Sequence, residues 1–313
     1  MAEITAQLVK ELRERTGAGM MECKKALQEA NGDIAEAEVI LRKRGIAAAA
    51  KKASRATRQG LIGSIQSENG KLGVLVEVNC ESDFVARNED FQAFVASIAQ
   101  HAAQNGPYQA GDAGVAQLLA QPFAGDSSIT VEQMIANNIA KVGENQGVPR
   151  LAVYALGETS GAAEGALGIY IHPGAQLGVL VEISATKPES SANVELQDLA
   201  KDLAMQIAAA DPQFIRKEDV DEATMAKEVN IQRDRALAEG KPEKMLDRIV
   251  EGRLSKFYEE ICLLEQPFVK ENSVSIGQLV AQKAKALNDT LQVVRFSRFK
   301  VGDTLPQSET TEE

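Results

Sequence analysis

Leu72-Gly73-Val74-Leu75-Val76-Glu77 is repeated 105 residues later in the chain as Leu177-Gly178-Val179-Leu180-Val181-Glu182. Around this run, residues 60–78 align with residues 165–183 at the same offset. In each copy two β-rich segments flank a short turn, which is typical of a β-hairpin. The repeat therefore predicts two related subdomains.

A helix is predicted after each of the two hairpins. Asn88 and Asn193 lie at equivalent positions of the two copies, each ahead of apolar residues at helical spacing, and Asn is a favoured N-cap. Two copies are too few for a solenoid. We therefore expect an α+β fold with two pseudo-symmetric subdomains, each an antiparallel sheet with helices on one face.

The residues ahead of the first copy predict a small bundle of three helices. Apolar residues recur at helical spacing, and the turns between the helices are expected at residues 16–19 (TGAG) and 31–33 (NGD), where Asp33 is a candidate N-cap. We expect Gly45 to end the third helix. A basic, partly helical linker should follow, carrying Lys51, Lys52, Arg55 and Arg58.

Two further segments lie between and within the copies. Residues 106–128 are rich in Gly, Pro and Gln and predict a loop, followed by a helix over 131–142 and a strand over 151–156. Residues 219–261 have helical composition on both sides of the Gly240-Lys241-Pro242 break. This pattern predicts an antiparallel helical hairpin inserted into the second subdomain, which a helix and a last strand over 293–301 complete.

These elements divide the chain into five parts. The expected boundaries are 1–56 for the three-helix bundle with its linker, 57–148 for the first α+β subdomain, 149–218 together with 262–303 for the second, 219–261 for the inserted hairpin, and 304–313 for a disordered tail.

The composition favours a binding protein over an enzyme. The 313 residues include only two histidines and three cysteines, which poorly support a catalytic triad or a zinc site. The sequence contains no phosphate-binding loop motif, so we expect no metal and no cofactor. A formal charge of −11 disfavours broad nucleic-acid binding. No apolar run is long enough for a membrane span, and the first residues lack a secretory signal. We therefore expect a cytoplasmic protein.

Several long motifs resemble those of the bacterial elongation factor Ts family. They are residues 10–21 (KELRERTGAGMM), 23–27 (CKKAL), 77–88 (EVNCESDFVARN), 141–145 (KVGEN) and 265–269 (EQPFV). The similarity extends over nearly the whole chain. It implies a nucleotide exchange factor that binds the GDP-loaded GTPase elongation factor Tu, expels GDP and is displaced by GTP. It also implies that the amino-terminal bundle resembles ubiquitin-associated domains and that the helical hairpin can serve formation of a homodimer.

The resemblance also implies where the partner is bound. The implied partner-binding residues are Arg13, Met20, Met21, Ser82, Asp83, Phe84, Val85 and His172. Residues 82–85 are further implied to disturb the Mg²⁺ site of the partner, with Phe84 inserted between two helices of the GTPase. On the residues alone, Phe84 is instead expected to pack in its own core. By the same reasoning at least one of Met20 and Met21 belongs to the core of the bundle.

Two other classes of function stay open on the sequence. In the first, the chain is a scaffold or adaptor whose bundle binds an unrelated helix while the repeats are inert. In the second, the basic linker contacts RNA directly. Release of GDP from a Tu-type GTPase separates nucleotide exchange from both.

Overall fold

A computed structural model describes residues 4–106, 108–157 and 163–304 of the chain, so most of the expected tail lies outside the described residues. Its helices are α1 (Ala6–Thr16), α2 (Met20–Glu29), α3 (Ile34–Lys52), α4 (Asp83–Ala86), α5 (Glu89–Asn105), α6 (Asp112–Ala120), α7 (Val131–Val142), α8 (Pro188–Ser191), α9 (Val194–Ala210), α10 (Glu222–Ala238), α11 (Leu246–Ile261) and α12 (Ile276–Ala286). Its strands are β1 (Gln59–Gln66), β2 (Leu72–Cys80), β3 (Pro122–Phe123), β4 (Asp126–Thr130), β5 (Gln146–Ala155), β6 (Glu164–Ile171), β7 (Leu177–Ala185), β8 (Pro267–Phe268), β9 (Glu271–Ser275) and β10 (Gln292–Lys300).

The predicted α+β class is confirmed. Each copy of the repeat forms an antiparallel three-stranded sheet, in the order β1-β2-β5 for the first and β6-β7-β10 for the second. The runs quoted above are the central strands β2 and β7, which explains why they are apolar on both faces. Asn88 and Asn193 cap α5 and α9 as predicted, each accepting a hydrogen bond from a backbone N–H two residues on.

The two sheets pack face to face, and the helices of each copy cover the outer faces. Residues of both sheets, including Leu75 and Leu180, form the core between them. A Cβ atom on Gly73 would lie 2.7 Å from a methyl group of Leu180, and one on Gly178 would lie 2.6 Å from Ile62. The repeated glycine therefore permits the close approach of the sheets.

A buried ion pair occurs in each copy and joins it to the other. The two sets, each a glutamate, an arginine and an aromatic residue of the opposite sheet, are Glu77, Arg150 and Phe299, and Glu182, Arg295 and Tyr154. The closest nitrogen to oxygen distances are 2.6 and 2.8 Å. The guanidinium carbons lie 4.7 and 4.0 Å from the ring centroids. Because both glutamates are fully buried, each carboxylate depends on its arginine for charge compensation.

The repeat extends further than its strands. Gln121-Pro122-Phe123 recurs as Gln266-Pro267-Phe268, now 145 residues later, because the helical hairpin lengthens the second copy. Both tripeptides begin a small hairpin, β3–β4 or β8–β9, that leads into a helix with a capping box. A buried polar side chain fixes each: His101 accepts a hydrogen bond from the N–H of Ala124 at 3.0 Å, and Gln206 from that of Val269 at 2.9 Å.

The prediction of a loop over 106–128 is wrong, because most of this segment forms regular structure that packs against the core. Helix α6 and the β3–β4 hairpin occupy most of it. Leu118 is fully buried beneath the first sheet, and Val115 and Leu119 pack beside it. Gly111 precedes α6, Pro122 begins β3 and Gly125 lies between β3 and β4, so these residues mark boundaries of short structured segments.

The expected end of the third helix at Gly45 is also wrong. Helix α3 continues to Lys52, and Gly45 is the point where it crosses α7. A Cβ atom there would lie 3.1 Å from the side chain of Asn137 and 3.8 Å from Ala140. Gly45 thus permits close helix packing, and this packing stabilises a helix that the residue alone would weaken.

The three amino-terminal helices have a core of their own. It consists of Val9, Leu12, Cys23, Ala26, Leu27, Ala30 and Ala37. Helix α3 attaches this bundle to α7 of the first subdomain, where Lys52 Nζ donates to the carbonyl of Ile139 at 3.4 Å.

The inserted hairpin consists of α10 and α11, and its base is tied to the second subdomain. The N–H groups of Gln213 and Phe214 both donate to the carbonyl of Ile261, at 2.9 and 3.0 Å.

Strand β5 pairs with β2 along its length. The boundary expected between residues 148 and 149 therefore falls inside a strand of the first sheet.

Candidate partner-binding site

Phe84 is an exposed aromatic side chain on the short helix α4, which directly follows the central strand β2. Its exposed fraction is 84%, whereas Val85 is half-buried and Ala86 buried. Ser82 caps the helix by accepting a hydrogen bond from the N–H of Val85. The core position that the residues alone predict for Phe84 is therefore wrong. An aromatic ring presented to solvent on a capped helix is typical of a binding surface.

Charged and hydrogen-bonding groups surround Phe84. Asp83 forms an ion pair with Arg87 one turn later, at 3.2 Å, and both residues are accessible to solvent. The carboxylate of Glu144 accepts hydrogen bonds from the backbone N–H groups of Glu81 and Ser82, at 3.2 and 3.0 Å, and from the Ser82 hydroxyl at 2.5 Å. These bonds hold the start of α4 against the loop after α7.

A reciprocal contact completes this arrangement. Glu81 Oε1 accepts a hydrogen bond from the backbone N–H of Asn145 at 2.5 Å. The side chain of Asn145 in turn donates to the carbonyl of Arg55 at 2.8 Å. We call these contacts between residues 81–82 and residues 144–145 the carboxylate clasp. Through Asn145 the clasp also holds the linker that leads to the amino-terminal bundle.

The second copy contains an equivalent clasp without the aromatic side chain. Asp289 Oδ1 and Oδ2 accept hydrogen bonds from the backbone N–H groups of Thr186 and Lys187, both at 3.1 Å. At the position of Phe84 the second copy has Glu189. The clasp therefore belongs to the repeated scaffold, and the exposed aromatic ring occurs in the first copy alone of these two.

Cys80 lies at the end of β2 beneath the clasp and is fully buried. Burial, with a contribution from the nearby carboxylate of Glu144, raises the pKa of the Cys80 thiol to about 12. Cys23 and Cys262 are also buried, and burial raises the pKa of both thiols. All three cysteines are therefore buried thiols, which is typical of a structural role.

His172 lies at the exposed tip of the β6–β7 hairpin, where its Nδ1 is 3.0 Å from the hydroxyl of Tyr170. This tip reaches the first subdomain: the N–H of Ile62 in β1 donates to the carbonyl of Ala175 at 2.6 Å. Since β1 pairs with β2 from Gln59 opposite Cys80, the tip contacts the strand beside the one that leads into α4.

Arg13, Met20 and Met21 are all exposed on the amino-terminal bundle. The exposed fractions of the methionines are 59% and 64%. The expectation that at least one of them belongs to the bundle core is wrong. Cys23, Ala26 and Leu27 of the same helix fill that core, so the first turn of α2 can present both methionines to solvent.

The structure brings part of the expected site together. Residues 82–85 lie on one short segment, and the second-copy hairpin that carries His172 contacts the sheet that leads into it. Arg13, Met20 and Met21 belong to the separate bundle, which α3 and Asn145 fix to the same subdomain. Sequence reasoning missed Glu144 and Asn145 as parts of the site. Their position in the KVGEN motif was the available signal.

Neither a metal-binding cluster nor a membrane-spanning helix occurs among the described residues. Within residues 4–106, 108–157 and 163–304, no group of three or more His, Cys, Asp or Glu side chains could hold a metal ion. None of the helices in these ranges is both long and apolar enough to cross a membrane.

An α+β scaffold of two related subdomains, with an exposed aromatic ring and an exposed methionine pair, defines a class of protein suited to docking onto another macromolecule. Comparison with known proteins makes this specific. Residues 81–303 match the family model described as Elongation factor TS. Over 306 residues, covering 98% of this chain and 95% of each relative, the chain is 42% identical to elongation factor Ts of Trichlorobacter lovleyi, 45% to that of Clostridium botulinum (strain Eklund 17B / Type B) and 44% to that of Clostridium kluyveri. The chain belongs to the elongation factor Ts family and is thus a translation elongation factor.

Proposed function

We propose that this chain is a guanine nucleotide exchange factor for elongation factor Tu. It binds the GDP-loaded GTPase, promotes release of GDP and is displaced when GTP enters. The observation that carries this proposal is the exposure of Phe84 on a helix whose start is fixed by the carboxylate clasp. Transfer of a solvent-exposed aromatic ring into an apolar site on a partner lowers the free energy of the complex.

In the proposed mechanism this chain makes and breaks no covalent bond. Phe84 inserts between two helices of the GTPase, with Ser82, Asp83 and Val85 beside it, and the resulting shift disturbs the partner's Mg²⁺ site. Because Mg²⁺ neutralises the charge of the bound phosphates, its loss weakens the binding of GDP. By linkage, the factor must bind the nucleotide-free GTPase more tightly than the GDP-bound form. The ratio of these two affinities equals the factor by which it weakens GDP binding.

Arg13, Met20, Met21 and His172 would supply affinity. Methionine side chains adapt to apolar surfaces, and arginine suits interface ion pairs. In this proposal Arg13, Met20 and Met21, which we call the bundle patch, hold the partner while residues 82–85 act on its nucleotide site. The protein would act in the cytoplasm, where translation takes place.

The deciding experiment measures release of fluorescent GDP from elongation factor Tu by stopped flow, with and without the full-length chain. Acceleration that saturates with the concentration of the chain supports the proposal. Binding without acceleration would favour the adaptor reading. Stimulation of an unrelated GTPase to the same extent would contradict specificity for elongation factor Tu.

We further propose that the helical hairpin mediates self-association. Three of its large apolar side chains are about half exposed, namely Ile231, Leu237 and Met245. Burying them in a symmetric contact between two hairpins would remove apolar surface from water. Sedimentation equilibrium of the full chain, compared with the triple variant in which these residues are replaced by Ser, tests this. A monomer at all concentrations would contradict it.

A further inference from the structure

We infer that Glu144 is a positioning residue for nucleotide exchange: its carboxylate holds α4 so that Phe84 is presented to the partner. This inference rests on the proposed function and names a residue that acts through Phe84. Glu144 is itself half-buried and faces the start of α4 through three hydrogen bonds.

Helix α4 cannot hold its position by itself. A helix of four residues has no stability in isolation, because helix nucleation is unfavourable. With an exposed fraction of 84%, Phe84 adds little packing of its own. The contacts of Val85 and Ala86 with the core fix one side of the segment. The N-terminal side depends on the Ser82 cap and on Glu144.

Glu144 also orients the hydroxyl group that caps α4. The Ser82 hydroxyl donates to Glu144 Oε1 at 2.5 Å while its oxygen accepts from the N–H of Val85 at 3.3 Å. A hydroxyl has a single proton, so donation to Glu144 orients its lone pairs toward the helix. Hydrogen bonds to a carboxylate are roughly twice as strong as those between neutral groups. Removing the Glu144 carboxylate thus frees both the cap and the backbone of residues 81–82.

The carboxylate clasp also sets the position of Phe84 relative to the amino-terminal bundle. Asn145 follows Glu144 directly, donates its backbone N–H to Glu81 and its side-chain amide to the carbonyl of Arg55. Asn145 therefore ties the segment before α4 to the linker after α3, while Glu144 holds that segment from the preceding position. Because the Asn145 contacts remain when the Glu144 side chain is replaced, Glu144→Ala tests the position of α4 while the linker to the bundle stays attached.

The second copy supplies a matched control. Asp289 forms the equivalent clasp with Thr186 and Lys187, but the exposed residue at the position of Phe84 is Glu189. Replacing Asp289 therefore removes the same kind of contact from the same fold at a place where no aromatic ring is presented.

The experiment is a double-mutant cycle on GDP release from elongation factor Tu. The variants are Glu144→Ala, Phe84→Ala and the double variant, each full length, with Asp289→Ala alone and with Phe84→Ala as the control. Maximal rate and half-saturating concentration are measured separately, below the thermal unfolding transition of every variant. Glu144→Gln, which keeps the size and one acceptor oxygen, carries the test if Glu144→Ala does not fold.

We expect Glu144→Ala to lower the maximal rate by about tenfold. This is the change in rate that corresponds to the free energy of one hydrogen bond to a charged group. The half-saturating concentration should change less, since the bundle patch remains. Because Glu144 acts through Phe84, the double variant should match Phe84→Ala within about twofold. Asp289→Ala should exchange within about twofold of the parental chain, and its effect should multiply with that of Phe84→Ala.

Two results would overturn the inference. One is a double variant whose loss is the product of the two single losses, since Glu144 would then act independently of Phe84. The other is an equal loss in Asp289→Ala, since any clasp would then matter only for stability. Both presuppose a parental chain that accelerates GDP release. A parental chain without that activity would instead overturn the proposed function.

Discussion

Glu144 accepts a hydrogen bond from the backbone N–H of Ser82 at 3.0 Å, across 62 positions of sequence. This contact joins the loop after α7 to the start of α4. The sheet can thereby support the exposed side chain of Phe84. The backbone N–H groups of Glu81 and Ser82, which follow β2, donate to a carboxylate that lies just before β5.

Phe84→Ala should leave the fold intact and slow GDP release from elongation factor Tu more than it weakens binding of the GDP-bound form. If Phe84 acts by disturbing the partner's Mg²⁺ site, lowering free Mg²⁺ should restore part of the lost rate, because chelation replaces the missing effect. Stopped-flow release at high and low Mg²⁺ measures both. Val194→Ala, which removes another exposed apolar side chain (67% exposed) in the second copy, is the matched control. Parental exchange by Phe84→Ala at millimolar Mg²⁺ would contradict the proposed insertion.

Met20→Ala and Met21→Ala should each weaken the complex with elongation factor Tu by about 1 to 3 kcal/mol if the methionine is an anchor buried in the interface. Stability should change little, because both side chains are exposed in the free protein. Isothermal titration with the nucleotide-free GTPase measures the affinity. Val269→Ala, at an apolar side chain that is 46% exposed in the second subdomain, serves as control. Unchanged affinity in both folded variants would remove the bundle patch from the interface.

Deletion of residues 221–257 with a short Gly/Ser bridge should leave both subdomains folded. The ends of the hairpin are held together independently of its length, since Leu263 donates to the carbonyl of Phe214 at 2.9 Å and Leu264 to that of Ile215 at 3.0 Å. Ile261 is retained because it is buried and accepts two of the hydrogen bonds at the base. Circular dichroism and a cooperative thermal transition check the result. Global unfolding of the deletion would mean that the hairpin contributes to the core.

Asp289→Asn should destabilise the protein at neutral pH, and this loss should shrink in acid. Desolvation tends to raise the pKa of Asp289, but hydrogen bonds from Ser190, Thr186 and backbone N–H groups outweigh it and hold the pKa well below its ordinary value of 3.8. A carboxyl group whose pKa is lower in the folded state stabilises above its unfolded pKa, and that stabilisation is lost as the pH falls through the folded pKa. Urea unfolding of both proteins at pH 7 and near pH 3 measures the difference. A difference independent of pH would contradict the assignment.

Arg150→Met should lower the free energy of unfolding by about 3 to 5 kcal/mol, because it leaves the carboxylate of Glu77 buried without its cation. Arg150 Nε lies 2.6 Å from Glu77 Oε2, and Glu77 is fully buried. Denaturant unfolding measures the loss. In Lys10→Met, which breaks the exposed pair with Glu14, the change should stay below about 1 kcal/mol. Equal effects of the two substitutions would show that burial of Glu77 carries no penalty.

Sequence alone predicted the features that depend on local chemistry. The β-rich segments and turns of the repeat predicted two hairpins, and Asn88 and Asn193 predicted the helix starts, because a cap and a turn involve residues a few positions apart. It failed where packing between distant segments decides. Helix α3 passes through Gly45 because α7 packs against it, and α6 forms within the expected loop because Leu118 enters the core.

The repeated scaffold, the three-helix start and the family motifs were thus determined by the sequence by itself. Only the tertiary structure decided that Phe84, Met20 and Met21 are exposed and that Glu144 holds the segment before Phe84. An apolar residue has the same local pattern whether it faces the core or solvent, and the difference depends on which surfaces the rest of the chain covers. Glu144 and Ser82 meet only because β2 and β5 pair in one sheet, which brings their ends together.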